Sequence, residues 1–403
     1  MKVDTARKID RLAGIPLTFL MTLLLWPFSR GTRPKPKRIL FVELSEMGST
    51  ILADPAMRKA RTAFDAELFF VIFKRNVASL DLLGTIPREN ICTIREDGLF
   101  ALAFDTLKFV LWCRRKKIET AVDLELFSRV SALLTGASGA ANRVGYYRFH
   151  NEGLYRGEML THRVAYNPHI HISKNFIALI NALMSPKPEV PYSKTYIGDD
   201  EIILPRLVPG GHEIQVIEQR IAAAYPPFQA GRQRIVLLNA NASGLLPQRR
   251  WPMDNFATLG RRILERWDDT VILITGSPDE AEGAEDLRNR IGHARTANFA
   301  GRSTLADLPL LYSASTLMVS NDSGPAHFAS VTDMPTIVLF GPETPALYAP
   351  LGRGTAITAG LACSPCVSAT NHRKTACTDP VCMTAILPER VLEAVAAILD
   401  GRS

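Results

Sequence analysis

Apolar residues in this chain fall into short blocks set between stretches of helical spacing, and the alternation runs twice along the sequence. Arg38–Leu44 (RILFVEL) is one such block; a turn at Gly48 follows, and then Ile51–Phe64, whose apolar positions recur at helical intervals. Strand, glycine turn and helix in that order open an α/β unit. Further strands are predicted at Glu67–Phe73, Asn90–Ile94, Thr120–Leu126 and Arg143–Tyr146, with helices at Ala101–Lys117 and Phe127–Thr135 between them. A strand buried on both faces reads as a continuous apolar run, so the pattern argues for a parallel sheet covered by helices on each side.

The alternation breaks at Pro186–Pro191 (PKPEVP) and at Pro205–Gly211, then resumes. The second series has strands at Arg234–Asn239, Thr270–Thr275, Leu317–Asn321 and Pro335–Phe340. Helices are expected at Met253–Arg266, Asp279–Ile291 and Thr304–Ala314, with a closing helix at Pro388–Leu399. At 403 residues the chain is too long for one ordinary core. The expected organisation is an N-terminal segment 1–37, a first doubly wound domain 38–205, a linker 206–233 and a second doubly wound domain 234–403.

The N-terminal segment has a different character. Ile15–Phe28 (IPLTFLMTLLLWPF) is uniformly apolar but shorter than the roughly 20 residues that a spanning helix needs. The residues after it, SRGTRPKPK, offer no small-x-small cleavage site of a secretory signal. Basic residues flank it: Lys2, Arg7, Lys8 and Arg11 before, then Arg30, Arg33, Lys35, Lys37 and Arg38 after, which places much of the net charge of +7 at this end. Two readings stand, an uncleaved interfacial anchor on an anionic lipid surface and a helix packed on the protein's own surface. On the first, the protein sits peripherally on the inner face of the cytoplasmic membrane, and removal of Met1–Arg33 releases it with activity intact. No basic-aromatic interleaving points to nucleic acid. The hydrophobic fraction of 47% and charged fraction of 22% exclude a disordered chain and a polytopic membrane protein.

Candidate chemistry is sought outside the carboxyl ends of the strands, where open parallel sheets bind their ligands. Directly after the strand Leu317–Asn321 the chain reads DSGPAHFAS, with Gly324 at the turn, Pro325 suited to a helix's first turn and His327 one turn in. This is either a phosphate-binding turn or a helix capped by Asn321, Asp322 and Ser323. Four cysteines near the C-terminus, Cys363, Cys366, Cys377 and Cys382, form C-x2-C-x10-C-x4-C. That spacing admits a tetrahedral zinc or iron site, two disulfides, or a loop of reduced thiols. Cys92 and Cys113 read as isolated buried residues.

The stretch SNDSGPAHFASVTDMPTIVLFGPETPALYAPLG, from Ser320 to Gly352, resembles the signature of glycosyltransferase family nine, the lipopolysaccharide heptosyltransferases and their relatives. The likeness extends to RILFVELSEMGSTILADPAMRKAR, RRWPMDNFATL and NFAGRSTLADLPLLYSAS, and more loosely to RVGYY, so it covers nearly everything from Arg38 onward. It implies the GT-B fold: two Rossmann-like domains facing across a cleft, acceptor bound mainly by the first, nucleotide-sugar donor mainly by the second, and inversion at the anomeric carbon.

Carried over by position, the resemblance puts Asp322, Ser323, Gly324 and His327 at the donor's diphosphate and sugar. Arg249 and Arg250 stand where the family has a basic residue that meets the phosphates; a guanidinium can pair two phosphate oxygens at once. Ser243 and Gly244, in the turn after the first strand of the second domain, and Thr275 and Gly276, at the end of its next strand, complete the expected donor set. The family's usual Gly-Asp becomes Gly48-Ser49 here. That aspartate is the family's expected base, and serine cannot take a proton from an acceptor hydroxyl unaided. Glu46 in the same loop, then Glu43 at the strand's end, are the expected replacements. Ser49, Arg143, Arg156, Arg163 and His171 are the expected acceptor contacts, the last three in or beside the His-, Arg- and Tyr-rich stretch Gly153–Phe176.

The implied reaction is transfer of a heptose or related sugar from a nucleotide-diphosphate donor, ADP-heptose-like, to a lipopolysaccharide or other lipid-linked or surface glycan. No catalytic cofactor is expected, and the cytosolic setting implied by the resemblance favours a structural zinc or iron at the four cysteines. Two alternatives stay open: a hexosyl or deoxysugar transferase for capsule or exopolysaccharide, and a non-catalytic glycan-binding or scaffold protein of the same fold.

Overall fold

The structure, a computed structural model, describes residues 10–28, 33–44, 47–150, 153–242, 244–368, 371 and 373–401. Contacts divide the chain into two compact units, Met1–Ile203 with Ala369–Arg373, and Leu204–Ser368 with Lys374–Ser403.

The first unit holds a parallel sheet of β1 (Arg38–Val42), β2 (Glu67–Phe73), β3 (Ile91–Ile94), β4 (Thr120–Asp123), β5 (Asn142–Tyr146) and β6 (His162–Val164), in the order β3-β2-β1-β4-β5-β6. β1 and β4 are almost wholly buried, as strands covered on both faces must be. In the β1–β2 register Phe41 faces Phe70, their rings stacked 6.3 Å apart.

Helices α1 (Gly14–Leu25), α2 (Met47–Phe64), α3 (Ala78–Leu83), α4 (Leu99–Lys116), α5 (Arg129–Ala137) and α6 (Ile172–Met184) belong to this unit. The β3-to-β4 and β4-to-β5 crossovers run in the same direction across the sheet. Right-handed connections therefore put α4 and α5 on one face, with α2 and α3 on the other. Consistent with this, Phe109 and Cys113 of α4 and Leu134 of α5 share one core cluster with Leu40, Val42 and Ala121 of the strands.

The second unit repeats the plan. Its sheet comprises β7 (Arg234–Asn239), β8 (Thr270–Ile274), β9 (Thr296–Asn298), β10 (Leu317–Asn321), β11 (Thr336–Phe340) and β12 (Gly354–Thr358), ordered β12-β11-β10-β7-β8-β9 and again all parallel. Its helices are α7 (Gly211–Ala224), α8 (Met253–Arg266), α9 (Ala281–Ile291), α10 (Leu308–Ser313), α11 (Gly324–Ala329), α12 (Pro345–Tyr348), α13 (Val381–Thr384) and α14 (Pro388–Leu399). Read from its own first strand, each sheet has the order 3-2-1-4-5-6, the arrangement of a dinucleotide-binding fold. The α/β class with two doubly wound halves is as the sequence implies.

Several elements differ from the sequence expectation. β6, β9 and β12 are strands beyond those expected: β6 and β9 have only three residues each, too few to set a period, and β12 mixes exposed and buried positions without one. Helix α6 and strand β6 occupy much of what reads as a polar connection. Helix α2 begins at Met47, so Gly48 and Ser49 lie in its first turn and not in a glycine turn ahead of it.

The N-terminal apolar run becomes α1, which docks on α5. Thr18 is fully buried and donates to Gly14 O at 2.8 Å, and Thr22 Oγ1 accepts the N–H of Glu158 at 2.9 Å. Gly136 and Gly157 permit the approach: an added Cβ at Gly157, whose φ is +81°, would lie 2.9 Å from Thr18 O. Just ahead of α1, Asp10 takes the guanidinium of buried Arg129 at 2.7 Å and its backbone N–H at 2.8 Å. The helix's other side, with Leu17, Phe19, Leu20, Leu23 and Leu24, is exposed. Packing on the protein's own surface and an exposed apolar row are thus both present. Among the described residues no helix is long and apolar enough to cross a membrane.

Candidate functional site

Each sheet has a point where neighbouring strands send their connections in opposite directions, between β1 and β4 and between β7 and β10. Crevices open there at the carboxyl ends.

In the second unit Asn321, the last residue of β10, fixes the arrangement. Its Nδ2 donates to Ala240 O at 2.8 Å, and its Oδ1 accepts the N–H of Trp251 at 2.9 Å. Both ends of the loop after β7 are thereby tied to the end of β10. Arg250 reinforces the fold-back by donating through Nε and Nη2 to Ala242 O at 3.1 and 2.8 Å. The result brings Arg249 Nη1 to 3.3 Å from Asp322 Oδ2, with both side chains largely withdrawn from water. The two residues lie 73 positions apart in sequence.

Ser323 occupies the N-cap position of α11 without capping it, and its hydroxyl donates instead to Asn321 O at 3.2 Å. His327 is buried one turn further. Gly244 has open space where a side chain would project, and Gly324 meets only the edge of Phe328 at 3.9 Å. Thr275 is spent internally, its hydroxyl accepting from Asn239 Nδ2 at 3.2 Å. At Gly276 a Cβ would press on Asn241 and Glu280 at 3.1 Å. Ser243 lies outside the described residues.

In the first unit three carboxylates gather where β1 and β4 end. Glu43 follows β1 and is buried. Asp123 ends β4, fully buried, with Arg156 Nη2 against its Oδ2, while Arg156 also donates to Ser128 O and Ser131 Oγ, each at 2.8 Å. Burial pushes the Asp123 carboxyl up to about 6 against the pull of Arg156. Glu125, half-buried, accepts the N–H of Leu44 on Oε1 at 2.9 Å. A carboxylate is thereby fixed beside the loop that follows β1. Glu46 lies outside the described residues. Asp54 is taken up within the unit by Arg58 at 2.5 Å and by Thr85.

Asp123, Thr135, Tyr146, Tyr147, Arg148 and Arg156 line a cavity beyond the ends of β4 and β5. Of the expected acceptor contacts, Arg156 is the one it contains. Arg143 is buried in β5 and spends its fork on Met159 O and Ala140 O, both at 2.6 Å, which leaves it a structural clasp. Arg163 pairs with Glu158 at 2.7 Å over the ring of Tyr147. His171 caps α6, its Nδ1 accepting from Ser173 N at 3.2 Å.

The cysteine spacing does not produce a metal centre: among the described residues no group of three or more His, Cys, Asp or Glu is placed to hold an ion. Cys363 is exposed, Cys366 Sγ lies 3.5 Å from Thr375 Oγ1, and Cys377 Sγ donates to Asp379 O at 3.1 Å. Cys382 is buried, and burial, with the three other thiols nearby, raises its pKa. None of the four is in a disulfide, nor are Cys92 and Cys113, and burial pushes Cys92 up to about 12. Among the described residues the zinc or iron expected from the spacing thus finds no donor set, and two of the thiols lie against oxygen atoms of their own loop.

Residues 114–376 match the family model described as glycosyltransferase family 9 (heptosyltransferase). The chain belongs to glycosyltransferase family 9. Within the family it is similar to lipopolysaccharide heptosyltransferase 2 of Salmonella typhimurium, 28% identical over 141 residues, which are 34% of this chain and 40% of that protein. The match thus spans less than half of the curated relative's length. Among solved structures it resembles the E. coli ADP-heptose LPS heptosyltransferase II, with a TM-score of 0.66 and 19% identity over 91% of this chain and all of that one. It also resembles an E. coli heptosyltransferase solved with ADP-2-deoxy-2-fluoro heptose, with a TM-score of 0.60 and 15% identity over 91% and 100% of the two chains. These likenesses establish the fold, and the family match establishes the kinship that the Ser320–Gly352 stretch implies.

Proposed function

We propose that this family 9 member is an inverting glycosyltransferase that moves a heptose from an ADP-linked donor to a lipopolysaccharide-type acceptor. The observation that carries the reading is the Arg249–Asp322 pair at the β7–β10 switch point. It presents a guanidinium suited to a diphosphate beside a carboxylate suited to sugar hydroxyls, in a chain whose family is that of the heptosyltransferases. In the transfer, an acceptor hydroxyl oxygen attacks the anomeric carbon, and the bond from that carbon to the diphosphate breaks. The electron pair leaves with ADP, and the hydroxyl proton passes to a carboxylate. Arg249 holds the negative charge that develops on the departing diphosphate.

The base is assigned to the carboxylates at the end of β1 and β4. Glu125 is tested first, because it is fixed by Leu44 N–H and reaches solvent, whereas Glu43 and Asp123 are buried. Glu46 is tested beside it. Membrane seating is the second part of the proposal. The exposed apolar row of α1, between basic flanks, suits the interface of an anionic membrane, where each Lys or Arg contributes on the order of 1 kcal/mol.

A donor panel decides the activity. ADP-heptose, UDP-hexoses and dTDP-deoxysugars are each offered with a heptose-deficient lipopolysaccharide core, and released nucleotide and lengthened glycan are both measured. Transfer from ADP-heptose alone supports the reading. Transfer from a hexosyl or deoxysugar donor alone replaces the sugar, and acceptor binding without transfer from any donor makes the chain a binding protein. With the activity in hand, Glu125→Gln is expected to lower kcat by about 100-fold or more with ADP affinity unchanged; if only Glu46→Gln does so, the base belongs to the loop.

A further inference from the structure

Helix α4 carries a row of large apolar side chains that its own unit does not cover. Its buried face supplies Asp105, Phe109 and Cys113, and Asp105 is held there by Arg95 through three bonds of 2.9 Å, two from the guanidinium and one from the backbone N–H. The opposite face presents Phe100, Phe104, Leu107 and Leu111, with Phe100 94% exposed and the other three between 52% and 59%. Their spacing of four, three and four residues aligns them along one side of the helix. The solvent side of an ordinary amphipathic helix is polar, so a contiguous row of this kind marks a contact surface.

The charges on that side have a single sign. Lys108 lies over the Phe104 ring at 4.5 Å, and Arg114 and Arg115 follow in the last turn, with Lys117 just beyond it, all exposed. Within α4 no acidic residue shares the exposed side; Asp97, in the turn ahead of the helix, is the exposed carboxylate beside it. α4 and α5 occupy the same face of the sheet, and α1 docks on α5. α4 and α1 therefore both neighbour α5 on that face of the sheet.

We propose that α4 is a second membrane-seating element, which joins α1 in binding the protein to an anionic lipid surface. Phe100, Phe104, Leu107 and Leu111 enter the acyl boundary, while Lys108, Arg114, Arg115 and Lys117 meet the headgroup phosphates, as long basic side chains beside apolar rows do. The inference rests on the proposed membrane seating through α1. What it adds is a contact some 75 residues further along the chain, inside the transferase fold itself.

The test uses the full chain with sedimenting vesicles of phosphatidylglycerol and phosphatidylethanolamine, and with phosphatidylcholine vesicles for comparison. Leu107→Ser with Leu111→Ser, and separately Phe100→Ala, are set against the α1 variant Leu20→Ser with Leu24→Ser. The double α4 variant is expected to reduce partition onto anionic vesicles about tenfold or more, and Phe100→Ala severalfold, with melting midpoints unchanged. If both α4 variants sediment like the wild type while the α1 variant does not, the inference is overturned and seating through α1 stands. If the wild type ignores both kinds of vesicle, both readings fall. A wild-type dimer that the α4 variants convert to monomer, with vesicle binding unaltered, reassigns the row to a second copy of this chain. Should the double variant prove unfolded, Phe100→Ala alone decides, because Phe100 is almost fully solvated and its loss leaves the core untouched.

Discussion

Arg249 and Asp322 become neighbours only through Asn321, whose amide ties both ends of the loop after β7 to the end of β10. In the sequence Asn321 reads equally well as a helix cap, and nothing local says that its amide reaches a loop 70 residues away. Hydrogen bonds to a charged partner are worth about 1.5–3 kcal/mol, so Arg249→Ala is expected to weaken ADP binding roughly 10- to 100-fold by calorimetry. Arg249→Lys, which keeps the charge but not the fork, should fall between the two. Arg250→Ala should cost less, because Nε and Nη2 of its fork both donate to Ala242 O. Wild-type ADP affinity in Arg249→Ala would remove Arg249 from the donor site.

Glu125 was hidden for a related reason: the apolar run Thr120–Leu126 reads as one strand, but β4 stops at Asp123, whose Oδ1 accepts the N–H of Glu125 at 3.1 Å and turns the chain. His162 carries a prediction of its own. Burial lowers its pKa from 6.5 to about 4, so the folded state keeps it neutral where the unfolded chain is already protonated. Its contribution to stability is whole above pH 6.5 and is lost as the pH falls through 4. Asp123, raised to about 6 by burial, has the opposite sign over much of the same range. The comparison is therefore His162→Phe against wild type: urea unfolding at pH 7 and pH 4.5 should show the variant losing less stability on acidification, and equal losses would contradict the assignment.

Among the elements, α1 joins the two readings its sequence leaves open. A 12-residue apolar helix between basic flanks reads either as an interfacial anchor or as a helix packed on the protein's own surface, and the structure shows what the packing consists of. The side that docks is made of Gly14, Thr18 and Thr22, small residues whose hydroxyls are satisfied along their own helix and by Glu158 N–H. Gly157, which meets Thr18 and Thr22, and Gly136, which meets Met21 and Leu25, lie more than a hundred positions away, so no periodicity within α1 could reveal the contact. Deletion of 1–33 would strip Asp10 from buried Arg129 and uncover both glycines. It is expected to lower the melting midpoint and not, as the sequence suggests, to yield an intact soluble enzyme.

A pair of glycine substitutions isolates the contact. Gly153 and Gly157 both have φ near +80°, but among the described residues an added Cβ meets nothing at Gly153 and meets Thr18 O and Thr22 Oγ1 at 2.9 Å at Gly157. Backbone strain of about 1–3 kcal/mol should appear in both alanine variants. Only Gly157→Ala should add a further loss and speed hydrogen exchange in α1. Equal effects in the two would mean that α1 contributes nothing to the unit's stability.

At the scale of the whole molecule the repeated architecture was the most legible feature, because strands buried on both faces announce themselves as apolar runs in both halves of the chain. Of the four edge strands only β3 is legible: β6 and β9 have three residues each, and β12 is only partly buried. Charge is likewise legible in total but not in placement. Much of the net +7 reads from the sequence as an N-terminal property, whereas folding also exposes Lys108, Arg114, Arg115 and Lys117 on or just beyond α4, which like α1 neighbours α5. That placement separates two contributions to membrane binding. Attraction between basic side chains and anionic headgroups is screened as the Debye length shrinks from about 10 Å at 0.1 M salt to about 3 Å at 1 M. Burial of the apolar rows is not weakened by salt in this way. Partition onto anionic vesicles should therefore fall as salt rises from 0.1 to 1 M and level off above zero. Replacing Lys108, Arg114 and Arg115 by Gln should lower the low-salt value while leaving the high-salt plateau in place. Binding that vanishes at 1 M salt would mean that the apolar rows stay out of the membrane, and binding indifferent to salt would mean that the basic residues of α4 do not face it.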